Sequence, residues 1–401
     1  MAKTVKVLPA KKDEIQIAKG IIHYDKDNAY PNTLDNIIDR SPTAKACLAV
    51  MERFVFGRGM TESGNFWKQT VNIKNLKVDQ LTRRIIRSYK KHGGFALHFN
   101  YNGMYEKVSV TPLHFPSVRL GKPDDGNYSG KVIVYPKWPQ QHRISRIDGF
   151  DKSKDVYDVY NPNPEIVARQ VELAGGWDKY NGQVWYYGEN GEYDYPLSPF
   201  EPCRNDMITE LLISAGKNSN VSSNFLGSQI LVLPGTYKDL SPYPDDRSLI
   251  DSGQESRYES EIMQMLSQLQ GAERMGSLAV IENGVKDKDG NPVKFDVVKF
   301  DVQNFDKIHE YTERSCEDTI MKVAGVPHIL LKPTATGFSQ ELLDNYYQFY
   351  NEATSYDRLI IEETMAEIFK NWHYAINPNG NYALTPLTLT IDKKEPTTPN
   401  V

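Results

Sequence analysis

Between residues 303 and 325 the apolar or small positions Phe305, Ile308, Thr312, Cys316, Thr319 and Val323 recur every three or four residues. At 3.6 residues per turn they fall in one stripe of a helix. Asp306, Glu310, Glu313 and Glu317 recur at steps of four, three and four, and at about 100° per residue they form a second stripe roughly 130° round the helix. The pattern predicts a helix with an apolar packing face and an acidic face. Gly325 stands where a helix end tolerates left-handed backbone, and Pro327 forbids continuation, so the helix stops there. From Ser339 to Trp372 there is neither Gly nor Pro, and Leu342, Tyr346, Phe349, Ala353, Tyr356, Ile360, Ile368 and Trp372 keep mostly helical spacing. A single helix of roughly 33 residues and about 50 Å is expected.

Upstream, Ser41-Pro42 is a helix start, with Ser as cap and Pro at the first helical position. The segment to Phe56 carries Cys47, Leu48, Met51, Phe54 and Val55 on one face and stops at Gly57. A second helix over residues 79–91 turns Leu81, Ile85, Ile86 and Tyr89 inward and Arg83, Arg84, Arg87, Lys90 and Lys91 outward, the strongest positive patch in the chain. Such a run is ordinarily a solvated face, the alternative being contact with nucleic acid or an acidic subunit. Gly93-Gly94 opens a β-rich region. Residues 95–101, the turn Asn102-Gly103 and residues 105–111 read as a hairpin, with further strands at 131–135, 156–160 and 184–187 and turns at 122–126 and 161–164. The aromatic residues Tyr157, Tyr160, Trp177, Tyr180, Trp185, Tyr186, Tyr187, Tyr193 and Tyr195 crowd this region; strand cores and subunit interfaces use them more often than base stacking does.

From Asn205 a helix leads to the apolar run 225–234, which suits a buried strand. Tyr258, Ile262, Met265, Leu269 and Ala272 give residues 255–274 a heptad-like seam. Strands at 277–282 and 293–299 flank a polar turn at 286–292. The first 20 residues read as a Lys-rich arm and the last 28 as a loosely ordered, Pro-rich tail.

A length of 401 residues suits two or three domains with real cores. The net charge of −5 argues against a tight phosphate grip, because that needs a basic footprint; surrounding DNA without holding it stays open. Cys47, Cys203 and Cys316 have neither disulfide-framework nor metal-ligand spacing. No run of about 18 apolar residues occurs, so no membrane partner and a cytoplasm-like compartment are expected. Candidate chemistry thins out on inspection. Asp287-Lys288-Asp289-Gly290 starts like a calcium loop, but Gly is fourth and Val298 occupies the twelfth position, so a hairpin turn is the better account. Gly216-Lys217 is followed by Asn218 and preceded at the required distance by Leu211, which excludes a phosphate loop. His92 and His98 sit beside a Gly pair without a paired nucleophile or metal-ligand set and read as structural. No cofactor and no enzymatic activity are expected, and energy for any DNA movement must come from another protein.

The order of helix, Gly325-Val326-Pro327, the pair Leu330-Leu331, a short Thr/Gly/Ser loop and a long helix, preceded by Gly271–Ile281 and Phe295–Phe300, resembles the C-terminal half of portal proteins of tailed double-stranded DNA bacteriophages. The resemblance covers about residues 205–372. It implies an α+β fold: an arm (1–20), a wing with the β-rich region (21–253), two stem helices (254–275 and 303–325) flanking a small β clip (276–302), a tunnel loop (326–339), a long wing or crown helix (340–373) and a tail (374–401). It implies a homo-oligomeric, dodecameric ring at one capsid vertex of the virion. That ring would be the channel for genome packaging and ejection of double-stranded DNA, with terminase, capsid or scaffold protein and a neck or adaptor protein as partners. On this reading Asp306, Glu310, Glu313 and Glu317 line the channel as stacked acidic rings. Lys307 and Arg314 pair across subunits; His328, Lys332, Thr334 and Thr336 form the tunnel loop; and Lys286, Asp287, Lys288 and Asp289 give the clip its terminase and neck contact. The alternatives are a nucleic-acid-processing enzyme of unrecognised type built on the basic 83–91 helix, and another ring-forming head or neck component.

Overall fold

A computed structural model describes residues 20–26, 28–61, 64–136, 138, 150–223, 229–234, 278–283, 296–299, 305–332 and 340–388. The expected arm up to residue 19, the 255–274 helix, the 286–292 turn with Lys286, Asp287, Lys288 and Asp289, and Thr334 and Thr336 lie outside the described residues. The fold is α+β, in two compact units: residues 1–204 with 320–401, and residues 205–319.

The first unit begins with helices α1 (Tyr30–Arg40), α2 (Pro42–Phe56) and α3 (Val78–His92). α2 starts as its sequence dictates: the Ser41 hydroxyl accepts from the Ala44 amide at 3.2 Å and Pro42 fills the first turn. It ends at Gly57, with φ of 59°, where a side chain would collide with the Thr385 carbonyl. α1 was not foreseen, although Pro31 in its first turn and buried Leu34 and Ile38 one turn apart are its signals. α3 turns Leu81, Ile85, Ile86 and Tyr89 inward as expected, but two of its basic residues are not outward. Lys90 holds Asp357 at 2.7 Å, and buried Lys91 lies 2.7 and 2.9 Å from Asp35 and Asp39. Two carboxylates one turn apart on α1 make a clamp that offsets the cost of burying that ammonium group.

Strands β1 (Gly94–Tyr101), β2 (Lys107–Pro112), β3 (Val118–Leu120) and β4 (Lys131–Val134) are followed by a one-turn helix α4 (Lys152–Asp155), β5 (Val156–Val159), α5 (Pro164–Ala174) and β6 (Gln183–Gly188). The sheet order is β2-β1-β6-β5-β4-β3, antiparallel except for the β5–β6 pair. The β1–β2 connection differs from the two-residue turn expected. Asn102 instead organises residues 102–106, its Oδ1 accepting from the Met104 and Glu106 amides at 2.9 and 3.0 Å, and Tyr105 takes the left-handed backbone with φ of 61°. Asn161–Pro164, read as a turn, ends in a helix start: the Asn163 side chain caps α5 by accepting from the Glu165 amide at 3.0 Å.

The second unit contains all but the first residue of α6 (Arg204–Ser223), strands β7 (Gln229–Pro234), β8 (Leu278–Asn283) and β9 (Asp296–Lys299), and most of α7 (Phe305–Ala324). The sequence reading put the first of these strands in the wing and made the other two a hairpin. In the structure β7 is the central strand between them, parallel to β8 and antiparallel to β9. Its unbroken apolar run suits a strand paired on both edges, and strands 278–283 and 296–299 therefore do not form a hairpin with each other.

Back in the first unit, α8 (His328–Leu331) precedes α9 (Gln340–Ala353) and α10 (Ser355–Phe369). The single 33-residue rod expected over this stretch is two helices. The Thr354 hydroxyl donates to the Tyr350 carbonyl at 2.9 Å, a back-bond that bends helices. The buried Arg358 guanidinium fills the bend, donating to the Asn351 carbonyl at 2.5 Å, the Thr354 hydroxyl at 2.9 Å and the Phe54 carbonyl at the end of α2 at 3.3 Å. The tail also differs from expectation as far as residue 388. Ile376 and Leu384 are buried with α10, α3 and β1 in the main core, and the Leu384 amide donates to Glu362 at 2.9 Å.

Lys107 on β2 is fully buried. Its ammonium donates to the Tyr160 hydroxyl at 2.6 Å and to the Glu367 carbonyl at 2.7 Å, and the Tyr160 hydroxyl donates on to the Glu367 carboxylate at 2.8 Å. Burial pulls the Lys107 amine from 10.5 down to about 8; the Glu367 carboxylate opposes that shift and the Lys370 charge adds to it. Between those two values the unfolded chain binds a proton that the folded chain has lost, so this residue's contribution to stability rises with pH across that window, by on the order of 3 kcal/mol when complete. Urea unfolding of wild type and Lys107→Met at pH 7 and 9 checks this. Wild type should gain stability relative to the variant at the higher pH; a pH-independent difference between them contradicts the assignment.

Candidate functional site

α7 is the element that carries the acidic stripe. Its packing comes first from Cys316, Ile320, Met321 and Ala324, all buried, with Thr312, Thr319 and Val323 half-buried beside them. The buried face in its last turn has therefore rotated away from the apolar stripe read in the sequence, toward the sector of the acidic one. Its most open side is Tyr311, Asp318 and Lys322, with Tyr311 76% exposed.

The four stripe carboxylates have separate surroundings. Asp306 and Lys307 lie in the first turn, where side chains are outside the described residues. Glu310 is exposed and accepts from the Arg314 guanidinium at 2.7 Å, one turn along the same helix. Arg314, expected to reach a neighbouring subunit, is held by its own helix in this chain. Glu313 pairs with Lys217 of α6, and Glu317 is half-buried. Exposed pairs of this kind add no more than about 1 kcal/mol each, so their weight is in charge placement. Lys217 was weighed in the sequence only as a phosphate-loop remnant; its role opposite Glu313 depends on α6 and α7 lying side by side, which spacing does not encode. The Cys316 thiol shows the same neighbourhood: burial pushes its pKa up, and the Asp206 and Glu210 carboxylates of α6 push it further.

The helix stop is sharp. Gly325 takes φ of 67°, its amide donating to the Lys322 carbonyl at 3.2 Å and the Val326 amide to the Met321 carbonyl at 3.0 Å. These are the two bonds of a Schellman motif, completed by buried Met321 and Val326. Pro327 then caps α8, where Ile329 is buried and His328 and Lys332 are exposed one turn apart. Ile329 to Leu331 belong to a helix that packs on α2.

The two histidines considered for catalysis have structural partners. His92 is buried 3.1 Å from Asp35; burial holds its pKa below the usual value against the pull of that carboxylate. On Asp35 itself burial pushes upward, but His92 and Lys91 outweigh it and hold the carboxyl at about 2. His98 contacts the Asn181 carbonyl at 2.7 Å. Among the described residues no three His, Cys, Asp or Glu side chains are grouped to hold a metal ion, and no helix is long and apolar enough to cross a membrane.

No protein-family model matches the chain, and no curated protein matches it. Among solved structures it is similar to a chain of the neck of a native GTA particle computed with C12 symmetry, at 12% identity and a TM-score of 0.48, covering 90% of this chain and 84% of that one. A chain from the virion of a native gene transfer agent particle gives 13% identity and 0.46, over 89% and 83%. One from the neck of an empty GTA particle computed with C6 symmetry gives 13% and 0.47, over 89% and 84%.

The open space around Gly325 isolates the effect of its backbone, since an added Cβ would meet nothing within 4 Å. Gly325→Ala is expected to cost about 1 to 2 kcal/mol from the left-handed backbone alone, read as a lowered urea midpoint. A neutral outcome would mean that the helix end relaxes into another conformation.

Proposed function

We propose that the chain is the ring-forming portal subunit of a tailed phage-like particle, a channel for double-stranded DNA and a docking platform for terminase and neck proteins. The observation that carries this reading is the order of parts after Arg204. A small sheet, the acid-striped α7, the Schellman stop at Gly325, the short α8 and the helices α9 and α10 follow one another, which supports the portal reading in its order of helix, stop, loop and long helical segment, while the sheet and the broken long helix depart from it. Support also comes from the chain's path, which leaves the first unit after Arg204 and re-enters it at Ile320, as a module inserted into a body does.

In this reading copies of the chain close into a ring through a heterologous contact. α7 contributes Asp306, Glu310, Glu313 and Glu317 to the channel wall. Stacked acidic rings repel phosphate, so a duplex slides through without being retained. The pairings of Glu310 with Arg314 and Glu313 with Lys217 fix side chains in place and temper the wall, leaving a net negative surface without a dense carboxylate cluster. Lys332, with Thr334 and Thr336, leads from α8, which His328 starts, into the loop that meets DNA at the channel's narrow point, and Lys286 to Asp289 contact terminase and neck proteins. The chain moves no phosphate itself; terminase supplies the energy.

Replacing Glu310 and Glu317 by Lys tests the wall. The assembled double variant should bind double-stranded DNA at least tenfold more tightly than wild type at low salt, with an affinity that falls steeply as salt rises, measured by fluorescence anisotropy with ring integrity checked by sedimentation. An intact ring with wild-type DNA affinity would remove the stripe from the channel.

A further inference from the structure

Gly57 and Gly59, with φ of 59° and 77°, turn the chain back at the end of α2, and Gly59 then pairs with Thr385. The returning segment and a 3₁₀ turn at Phe66–Lys68 border, with the first turns of α3, a cavity of about 170 Å³. That is small for a drug-sized ligand and suits a single ring system. Buried Met60 and half-buried Phe56 and Trp67 give it apolar and aromatic walls.

Its charged lining among the described residues is Arg58 and Arg83 against Asp79. Both guanidinium groups are loosely held. Arg83, its side chain 63% exposed, lies over the Phe56 ring at 4.4 Å and stands 3.9 Å from Asp79; exposed Arg58 reaches the Thr388 carbonyl at 3.4 Å. Lys68 brings a third cation beside them, its ammonium 4.9 Å from the centre of the Trp67 ring. Glu52, one turn before Phe56 on α2, is set against Arg87 at 3.5 Å. Asp79 itself has one oxygen, Oδ1, shielded from water without a hydrogen-bond donor. The carboxylate torsion is soft, so either oxygen can turn toward a donor in the cavity, and a donor there removes the cost of the unpaired acceptor.

These features select a ligand with three parts. Trp67, Phe56 and Met60 take a planar apolar body. Asp79, an acceptor only, takes N–H donors. The arginines take an anion, best of all a phosphate, whose oxygens match the guanidinium fork in two bonds. A cationic ligand would meet two arginines, and an aliphatic acid would leave Asp79 unpaired beside a like charge. A nucleotide has all three parts, and among the common bases guanine presents two adjacent donors, N1–H and the 2-amino group, to the two oxygens of one carboxylate.

We propose that this cavity binds a guanine nucleotide, with the base against Trp67, its N–H edge donating to Asp79 and its phosphate held by Arg58 and Arg83. A free nucleotide and a guanine within a single strand offer the same chemistry. The site lies within the first unit and does not depend on the ring reading.

Isothermal titration calorimetry of the full-length chain tests the site. GMP should bind, and inosine monophosphate, which keeps the N1 donor and lacks the 2-amino group, should bind roughly tenfold more weakly. Asp79→Asn should remove that preference. Arg58→Gln, at an exposed position, should weaken GMP roughly tenfold and leave guanosine, which has no phosphate, unchanged. A short oligothymidine with one central guanine identifies the source: binding tighter than that of GMP, and absent for plain oligothymidine, assigns the site to a strand, and binding no tighter than that of GMP assigns it to the free nucleotide. No binding of GMP at millimolar concentration, equal affinity for GMP and inosine monophosphate, or an Arg58→Gln effect as large on guanosine as on GMP overturns the proposal. Each of those results leaves the ring reading standing.

Discussion

Buried backbone carbonyls need donors, and in the first unit three buried cations supply them at the junctions that hold distant stretches of chain together. Arg119, fully enclosed, donates to the Pro116 and Val118 carbonyls at 2.9 and 2.7 Å and to the Asn28 carbonyl at 2.8 Å, with its guanidinium over the rings of Tyr24 and Trp138. That ties the entry segment to the sheet. Lys107 ties β2 to the end of α10, and Arg358 ties the α9–α10 bend to the end of α2. Helix ends leave carbonyls unpaired, and removing the only donor to a buried one costs about 1 to 3 kcal/mol. Without Arg358 the Asn351 carbonyl would be left to share the Thr354 hydroxyl, 3.2 Å away, with the Tyr350 carbonyl, so the bend and the cation belong together.

The functional reading depends on that framework. The bend at Thr354 sets the course of α9 relative to α10. The clamp of Lys91 between Asp35 and Asp39 fixes α1 against α3. Arg87 and Arg84 remain exposed one and two turns earlier on the same helix as Lys91. A basic run that reads as uniform in sequence is thus divided by burial into residues that build the fold and residues available to a partner.

Periodicity and punctuation made much of this architecture legible. Ser41-Pro42, Gly57 and the Gly325-Val326-Pro327 stop are local signals whose physics acts within a turn, and the helices they bound formed there. What the sequence concealed was set by long-range partners. The break at Thr354 depends on an arginine docking against α2; the centre of the three-stranded sheet is a strand about 45 residues ahead of one neighbour and about 60 ahead of the other; and Lys91 turns inward because α1, itself unrecognised, offers two carboxylates. At the candidate site the acidic spacing of α7 was plain, whereas the partners of Glu310 and Glu313 were not. Glu310 had Arg314 one turn away, but that arginine was assigned a role between subunits, and Lys217 lies almost 100 residues from Glu313.

The central claim is that copies of this chain enclose a channel walled by α7. Electron cryomicroscopy of the purified full-length protein tests it most directly. The account predicts closed rings with an axial hole and density for α7, traced from Phe305 to the Gly325 stop, along the inner wall. Rings in which α7 lies on the outer surface, or a preparation containing only single chains, would contradict it.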